Sequence, residues 1–456
     1  MGLGRRTQRT AQVDGRAARS QGPRHSHRPG LSTRQAAIEL LDAVLVHHRA
    51  LDDALSDHVG FGKLSVRDRA FARTLVATTL RRLGQIDRAL ADRLTKPLAK
   101  APPPVPAILR LGVAQLWFLD TPAHAVVSTA TDLAATNGAA HAKGMVNAVL
   151  RGLATAKPDD PDGPDAARLN TPGWLWDRLV TAYGPAAADA IGRAHLADPP
   201  LDLSVRDDRE AWAVHLDATI LPTGSLRRVD GGAVATLPGY DDGAWWVQDA
   251  AAALPARLFG EIAGRTVVDL CAAPGGKTAQ LATAGANVTA VDQQPHRMDR
   301  LADNLARLAL TAERVVADAT TWRPPAPVPA VLLDAPCTAT GTIRRHPDIP
   351  HLKRPGDVAK TAAIQARLLD NAVDMLAPGG TLVWCTCSLL PDEGEDQIAR
   401  LIDTGAPVTR LPIEPDEVPG LAGAITPAGE LRTLPSHWPN QGGLDGFHIS
   451  RLRRVS

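Results

Sequence analysis

Cysteine is scarce in this chain, four residues in 456, and aromatic side chains make up only 4% of it. Four thiols in a chain this long are too few for a disulfide scaffold. No CxxC pair or His-rich stretch accompanies them, so no zinc or other metal site is expected. An excess of one charge is also lacking: 50 Lys and Arg stand against 49 Asp and Glu, a formal +1, so net charge names no partner. No uninterrupted apolar run is long enough to span a bilayer, and none follows the N-terminal charges as a secretory signal requires. A cytoplasmic protein with no membrane partner is expected, and since no feature demands an obligate oligomer, a monomer.

The charge that is present is unevenly placed. The first thirty residues carry seven Arg (Arg5, Arg6, Arg9, Arg16, Arg19, Arg24, Arg28) against Asp14 and almost no large apolar side chain, so residues 1–30 read as a disordered basic arm. From 31 to 155 apolar residues recur at helical spacing, as in Ile38, Leu41 and Leu45 or Met145, Val149 and Leu153, which predicts an all-helical domain broken by Pro102 to Pro106. Residues 156–167, "AKPDDPDGPDAA", read as a linker. A small α+β unit follows over 168–245, with a helix from "TPGWLWDRL" capped by Thr171 and a strand at "LDLSVR". Over 246–456 an amphipathic helix at "WWVQDAAAALPARLF" precedes alternating strand and helix signals. That alternation predicts an α/β domain with a mainly parallel sheet.

"VDLCAAPGGKT" ends a strand in a Gly-rich turn that opens a helix, a device for bringing backbone amides to a ligand's anionic end. Gly276, Lys277 and Thr278 match the end of a P-loop, but Cys271 stands where its first Gly belongs. A nucleoside triphosphatase stays open on this motif, helped by the Asp-ended strand "AVLLDAP". The next two strand signals end in Asp292, placed to accept from ribose hydroxyls, and Asp318, near where an adenine would lie. With Asp269 they form a series of carboxylates that would repel a triphosphate and tolerate the sulfonium of S-adenosylmethionine.

Asp334 and Cys337 follow one strand, and Cys387 follows another. A methyl acceptor that needs a thiolate is a pyrimidine C5: addition of the thiolate to C6 makes C5 nucleophilic. An acid such as Asp334, bonded to ring N3 and N4, favours the addition, and a base must later remove the C5 proton. Two thiols could divide these tasks; spacing does not assign them.

"DLCAAPGGKT", "DAPCTATGTIRRHPDI" and "CTCSLLPDEGE" together resemble the RNA cytosine-C5 methyltransferases, specifically the bacterial small-subunit ribosomal RNA branch. "RDRAFARTLVATTLRR" and "KGMVNAVLRGL" resemble its NusB-type RNA-binding domain. The resemblance covers nearly the whole chain. It implies a Rossmann-like class I methyltransferase domain behind a NusB-like helical domain, with 16S ribosomal RNA or a small-subunit assembly intermediate as substrate. It implies S-adenosylmethionine held by Cys271, Ala272, Ala273, Pro274, Gly275, Gly276, Lys277, Asp292, Asp318 and Asp334. It also implies Cys387 as the C6 nucleophile and Cys337 as the thiol for product release. Thr338 and Ala339 stand where the family usually has Ser and Gly, His448 where it has Phe, and Asp207 where it tends to Asn. Both cysteines and the acid are intact. Arg344, Arg345 and His346, close behind Cys337, are expected to border the pocket and contact RNA. A non-catalytic RNA-binding factor is the remaining alternative, and the two intact cysteines count against it.

Overall fold

In a computed structural model, residues 1–2, 30–229 and 232–455 are described; the expected basic arm lies almost wholly outside them. From Leu31 to Ala154 the chain is helical, built on Leu31–Leu45, Val66–Arg81, Leu83–Ala91, Val105–Trp117, Ala123–Thr136 and Lys143–Ala154. Their apolar stripes, among them Leu41, Leu75, Leu109, Val126 and Leu150, close a single core because each helix has only one face to bury. Ser65 starts the helix Val66–Arg81 by accepting from the Asp68 amide at 3.1 Å, the usual role of an N-cap hydroxyl.

Strands β1 (Leu201–Val205), β2 (Thr219–Ile220), β3 (Leu226–Arg228) and β4 (Trp245–Val247) form a four-stranded sheet ordered β2-β3-β1-β4. Two expectations fail here. Residues 245–247 form a strand, with Trp245 opposite Val205 and Trp246 opposite Ser204, and only Leu254–Arg257 is helical. Aromatic side chains suit a pleated, half-buried surface better than a helix. Thr171 does not cap the helix Gly173–Leu196; its hydroxyl donates back to the Ala167 carbonyl at 2.8 Å.

The remaining strands are β5 (Thr266–Leu270), β6 (Asn287–Asp292), β7 (Glu313–Val316), β8 (Val328–Asp334), β9 (Leu376–Thr386), β10 (Val408–Arg410), β11 (Leu431–Arg432) and β12 (His448–Arg454). They form one sheet ordered β10-β12-β9-β8-β5-β6-β7, with β11 against β12. Strands β9, β8, β5, β6 and β7 run parallel; β12 is antiparallel to β9. Val267, Leu332 and Val383 pack on one face of the sheet and Val268, Leu333 and Trp384 on the other. Burial on both faces explains why these strands read as unbroken apolar runs.

From β5 the chain first builds outward through β6 and β7, then returns to place β8 and β9 on the other side. The crevice of such a sheet lies at the carboxyl ends of the strands flanking that reversal. The helical domain docks beside it, on the segment following β8. Arg81 donates to the Arg344 carbonyl at 2.8 Å, the Leu51 amide donates to Asp348 at 2.9 Å, and His351 Nε2 lies 3.0 Å from the Leu80 carbonyl. Among the described residues no helix is long and apolar enough to cross a membrane.

Candidate active site

Three consecutive neighbours in the sheet deliver the site: β5 ends in the Gly-rich turn, β8 in Asp334, and β9 leads into Cys387. Gly275 adopts φ +102, and a Cβ there would lie 2.9 Å from Leu301 Cγ, so the turn needs a residue without a side chain. The helix Gly276–Thr283 then begins without a side-chain cap, leaving first-turn amides directed outward. Asp269 lies beneath this turn rather than facing a ligand. It is fully buried, and Thr278 donates to it at 2.6 Å. Burial raises its pKa to about 7.

Asp292, at the end of β6, is buried and accepts from the amides of Ala273 at 3.3 Å and Gln294 at 3.0 Å. It thereby ties the turn to the next strand. Asp318 is exposed and accepts at one oxygen from the Thr320 amide and hydroxyl, hydrogen bonds that lower its pKa. Lys277 does not point towards a phosphate position. Its Nζ bonds Asp334 at 2.8 Å and lies 5.2 Å from the centre of the Phe447 ring. Burial opposes its charge, but Asp334 overrides that and raises its pKa.

The two expected cysteines meet: Cys337 Sγ lies 3.4 Å from Cys387 Sγ. The hydrogen bond to Cys387, and then burial, raise the Cys337 pKa well above that of an ordinary thiol. A third thiol, Cys385, lies 3.4 Å from Asp334 Oδ1; burial first, then Asp334, hold it protonated. Asp334 thus joins Lys277 on one oxygen and offers the other, opposed only by a weak thiol donor, to the cleft.

Sequence reasoning missed the group that sets this geometry. Glu393, fully buried, accepts from the Thr338 amide at 2.9 Å, the Thr338 hydroxyl, the Ser388 hydroxyl at 2.6 Å and the Thr361 hydroxyl. Thr338 follows Cys337 and Ser388 follows Cys387, so one carboxylate holds both cysteine segments. Its only sequence signal is an acid in "PDEGE" close behind Cys387. Ala339 adopts φ +58, a left-handed conformation that a glycine takes without cost and alanine at about 1 kcal/mol. His448 is fully buried; its Nε2 pairs with Glu430 at 3.0 Å, while its Nδ1 has no hydrogen-bond partner among the described residues. Asp207 is exposed.

The expected RNA contacts of the arginine pair are corrected by their surroundings. Arg344 is 1% exposed and bonds Asp249, Asp445 and the Gly442 carbonyl. Arg345 is shared among Asp249, Asp445 and the Pro200 carbonyl. Both stitch the segment after β8 to the α+β unit and the C-terminal loop, because buried carboxylates claim them first. His346 is half-exposed and faces Asp52 at 3.4 Å.

A scan against family models matches residues 261–453 to 16S rRNA methyltransferase RsmB/F and 31–155 to the NusB family. Ribosomal RNA small subunit methyltransferase B of Pseudomonas syringae pv. tomato is 35% identical over 451 residues, covering 93% of this chain and 98% of the relative. The chain belongs to the RsmB/F family of 16S rRNA methyltransferases. A probable RsmB of a Synechocystis species is 32% identical, covering 89% of this chain and 95% of its own. The crystal structure of PH0851 shares the RsmB/F chain's fold at TM-score 0.74 and 22% identity, covering 94% of this chain and 99% of its own. That of NSun6 from Pyrococcus horikoshii with SFG gives 0.54 at 18%, covering 62% and 98%.

RsmB/F proteins are S-adenosylmethionine-dependent methyltransferases, and the residues present fit that cofactor. Uncapped amides at Gly276 suit a carboxylate, Asp292 at the neighbouring strand end suits a ribose diol, and Lys277, tied to Asp334, is not free to hold a triphosphate.

Proposed function

We propose that this protein methylates C5 of a cytosine in 16S ribosomal RNA through a covalent bond between Cys387 and C6. The contact between the Cys337 and Cys387 sulfurs at 3.4 Å, beside Asp334, carries this reading. S-adenosylmethionine, when bound, supplies an electrophilic methyl group. The turn from Cys271 to Lys277, with Asp292, Asp318 and Asp334, would hold it. Asp334, fixed by Lys277, would accept from N4–H and from a proton taken up at N3, and so favour attack at C6. Cys387 thiolate adds to C6, and the electron pair moves to C5, which becomes the nucleophile.

Cys337 keeps its proton while Cys387 is free, because the sulfur contact is the first cause of its raised pKa. Once Cys387 is a thioether, that contact no longer holds the Cys337 proton; Cys337 releases it to water, and the resulting thiolate can act as a base. Loss of the C5 proton to Cys337 then returns the pair to C5=C6 and expels Cys387 as thiolate. A paired target base must first leave its stack, at a few kcal/mol. His346, half-exposed beside the segment after Cys337, remains a candidate contact with the RNA. With a ribosomal substrate the proposed reaction is cytoplasmic, and we propose a monomer as the acting form.

Wild type, Cys337→Ala and Cys387→Ala are incubated with 16S RNA and S-adenosylmethionine and run on a denaturing gel. Cys337→Ala should accumulate a protein–RNA adduct and Cys387→Ala should form none. The reverse pattern would exchange the two roles, and a wild type that neither methylates nor traps RNA would overturn the reading.

A further inference from the structure

Most interior arginines of this protein are claimed by acids: Arg227 by Asp202, Arg344 by Asp249, Arg432 by Glu395 and Arg451 by Glu417. Two others are not. Arg209 and Arg257 line a concavity of about 460 Å3 where the four-stranded sheet meets the helices Leu254–Arg257 and Gly276–Thr283. Trp246, Gln280 and Thr283 also line it, and no Asp or Glu does. Neither guanidinium has an ion-pair partner among the described residues.

The Arg257 charge is held there at a cost. Arg209 folds back over the turn at Gly224, where φ is +84, a left-handed conformation that favours glycine, and a Cβ would lie 3.0 Å from the guanidinium carbon. Arg257 is half-buried, and burial, then repulsion from Arg209, lower its pKa to about 10. Thr283 adds a buried hydroxyl oxygen without a hydrogen-bond partner. Two like charges in a partly desolvated hollow repel each other, and an anion between them removes that penalty and accepts from both forks. The helix Gly276–Thr283, eight residues long, spans about 12 Å at 1.5 Å per residue. Its first residue belongs to the cofactor turn and its last to this hollow.

We propose that this groove is a second RNA contact, in which Arg209 and Arg257 together hold a backbone phosphate of the substrate outside the cleft. The inference rests on RNA being the substrate. A phosphodiester fits better than a protein carboxylate because it offers two oxygens to two separate guanidiniums and is what a polynucleotide presents at regular intervals.

The test compares the full-length wild type with Arg209→Ala, Arg257→Lys and Arg209→Ala/Arg257→Ala. Binding of a 16S RNA transcript is measured across a salt series, with KM and kcat for that RNA and calorimetric affinity for S-adenosylmethionine. The double variant should raise KM about tenfold and flatten the slope of log affinity against log salt by about 0.7 per phosphate lost. Turnover at saturating RNA and cofactor affinity should hold, and Arg257→Lys should keep most of the binding. Arg209 is exposed, so its single variant folds even if the double variant does not, and should show about half the effect on the logarithmic scale. Inorganic phosphate should compete with RNA in wild type more than in Arg209→Ala. Unchanged KM and salt slope in both Arg→Ala variants, with an active wild type, would overturn the groove and leave the proposed function standing. A wild type that does not bind or methylate RNA would overturn the function itself.

Discussion

Replacing Glu393 by Gln is the sharpest test of how the two cysteines are held. The carboxylate accepts four hydrogen bonds, two on each oxygen: the Thr338 amide and Thr361 hydroxyl on one, the Thr338 and Ser388 hydroxyls on the other. A glutamine can keep one oxygen, and the Thr338 amide, a donor that cannot reverse, dictates which. Its NH2 then faces two hydroxyls that had been donating. Ser388 can turn its proton towards Thr340, 3.2 Å away, but the Thr340 hydroxyl proton then loses its acceptor. Hydrogen bonds to a charged acceptor contribute about 1.5–3 kcal/mol each and neutral ones about 0.5–1.5. Weakening all four and stranding one hydroxyl therefore costs about 3–5 kcal/mol, part of it as displacement of the segments bearing Cys337 and Cys387. A shift near 1 Å lowers turnover about 100-fold. Urea unfolding and kcat, measured well below the melting temperature, should both fall in Glu393→Gln, while KM for S-adenosylmethionine stays within about twofold because the cofactor turn is on another strand. Thr361→Val, which removes one donor and leaves the carboxylate, should lose about 1 kcal/mol and little turnover. A Glu393→Gln enzyme with wild-type kcat and unfolding free energy would refute the reasoning.

Arg344→Ala should lower stability by about 3–5 kcal/mol, since it leaves two buried carboxylates, Asp249 and Asp445, with Arg345 as their one remaining shared cation; denaturant unfolding measures this. If stability holds and the salt dependence of RNA binding weakens instead, Arg344 is a phosphate contact after all. Burial raises the Asp269 pKa in the folded state to about 7 from an ordinary 3.8, so between those values the folded state holds a proton that the unfolded state has released. Stability therefore falls as pH rises through that window, by up to about 1.4 kcal/mol per pH unit, and levels off above it. Asp269→Asn, which stays neutral and can still accept from Thr278, should gain on wild type from about pH 4 to pH 7; a pH-independent difference would mean that Asp269 ionises as an ordinary aspartate.

The strands that carry the chemistry were legible because each is a short apolar run ending in a distinctive group: Asp269 and Cys271 at β5, Asp292 at β6, Asp334 at β8. That Cys337 and Cys387 border one crevice was legible from their places just after two strands of an open sheet; which of them attacks was legible only through the family resemblance. Trp245–Val247 was misread as helix because its strand partner, β1, lies forty residues earlier and the alanines that follow favour a helix locally. Arg344 and Arg345 looked like surface residues because Asp249 and Asp202 lie about a hundred or more residues before them and Asp445 a hundred after. Local pattern reports propensity and periodicity; it is silent on which distant charge will be buried against which.

The docking of the helical domain also bears on how this protein can be cut or recombined. Beside its contacts with residues 161–198, the domain touches residues 344–351, the stretch between Cys337 and the helix Pro355–Met375, so it is a wall of the catalytic segment as well as a neighbour. A truncation at the linker would bare the Arg344 carbonyl and Asp348 and release the stretch that follows Cys337. A chimera carrying a relative's helical unit would need that unit's equivalents of Leu51, Leu80 and Arg81 to match this segment. The two halves can exchange surface residues freely, but along this seam they are inherited as one.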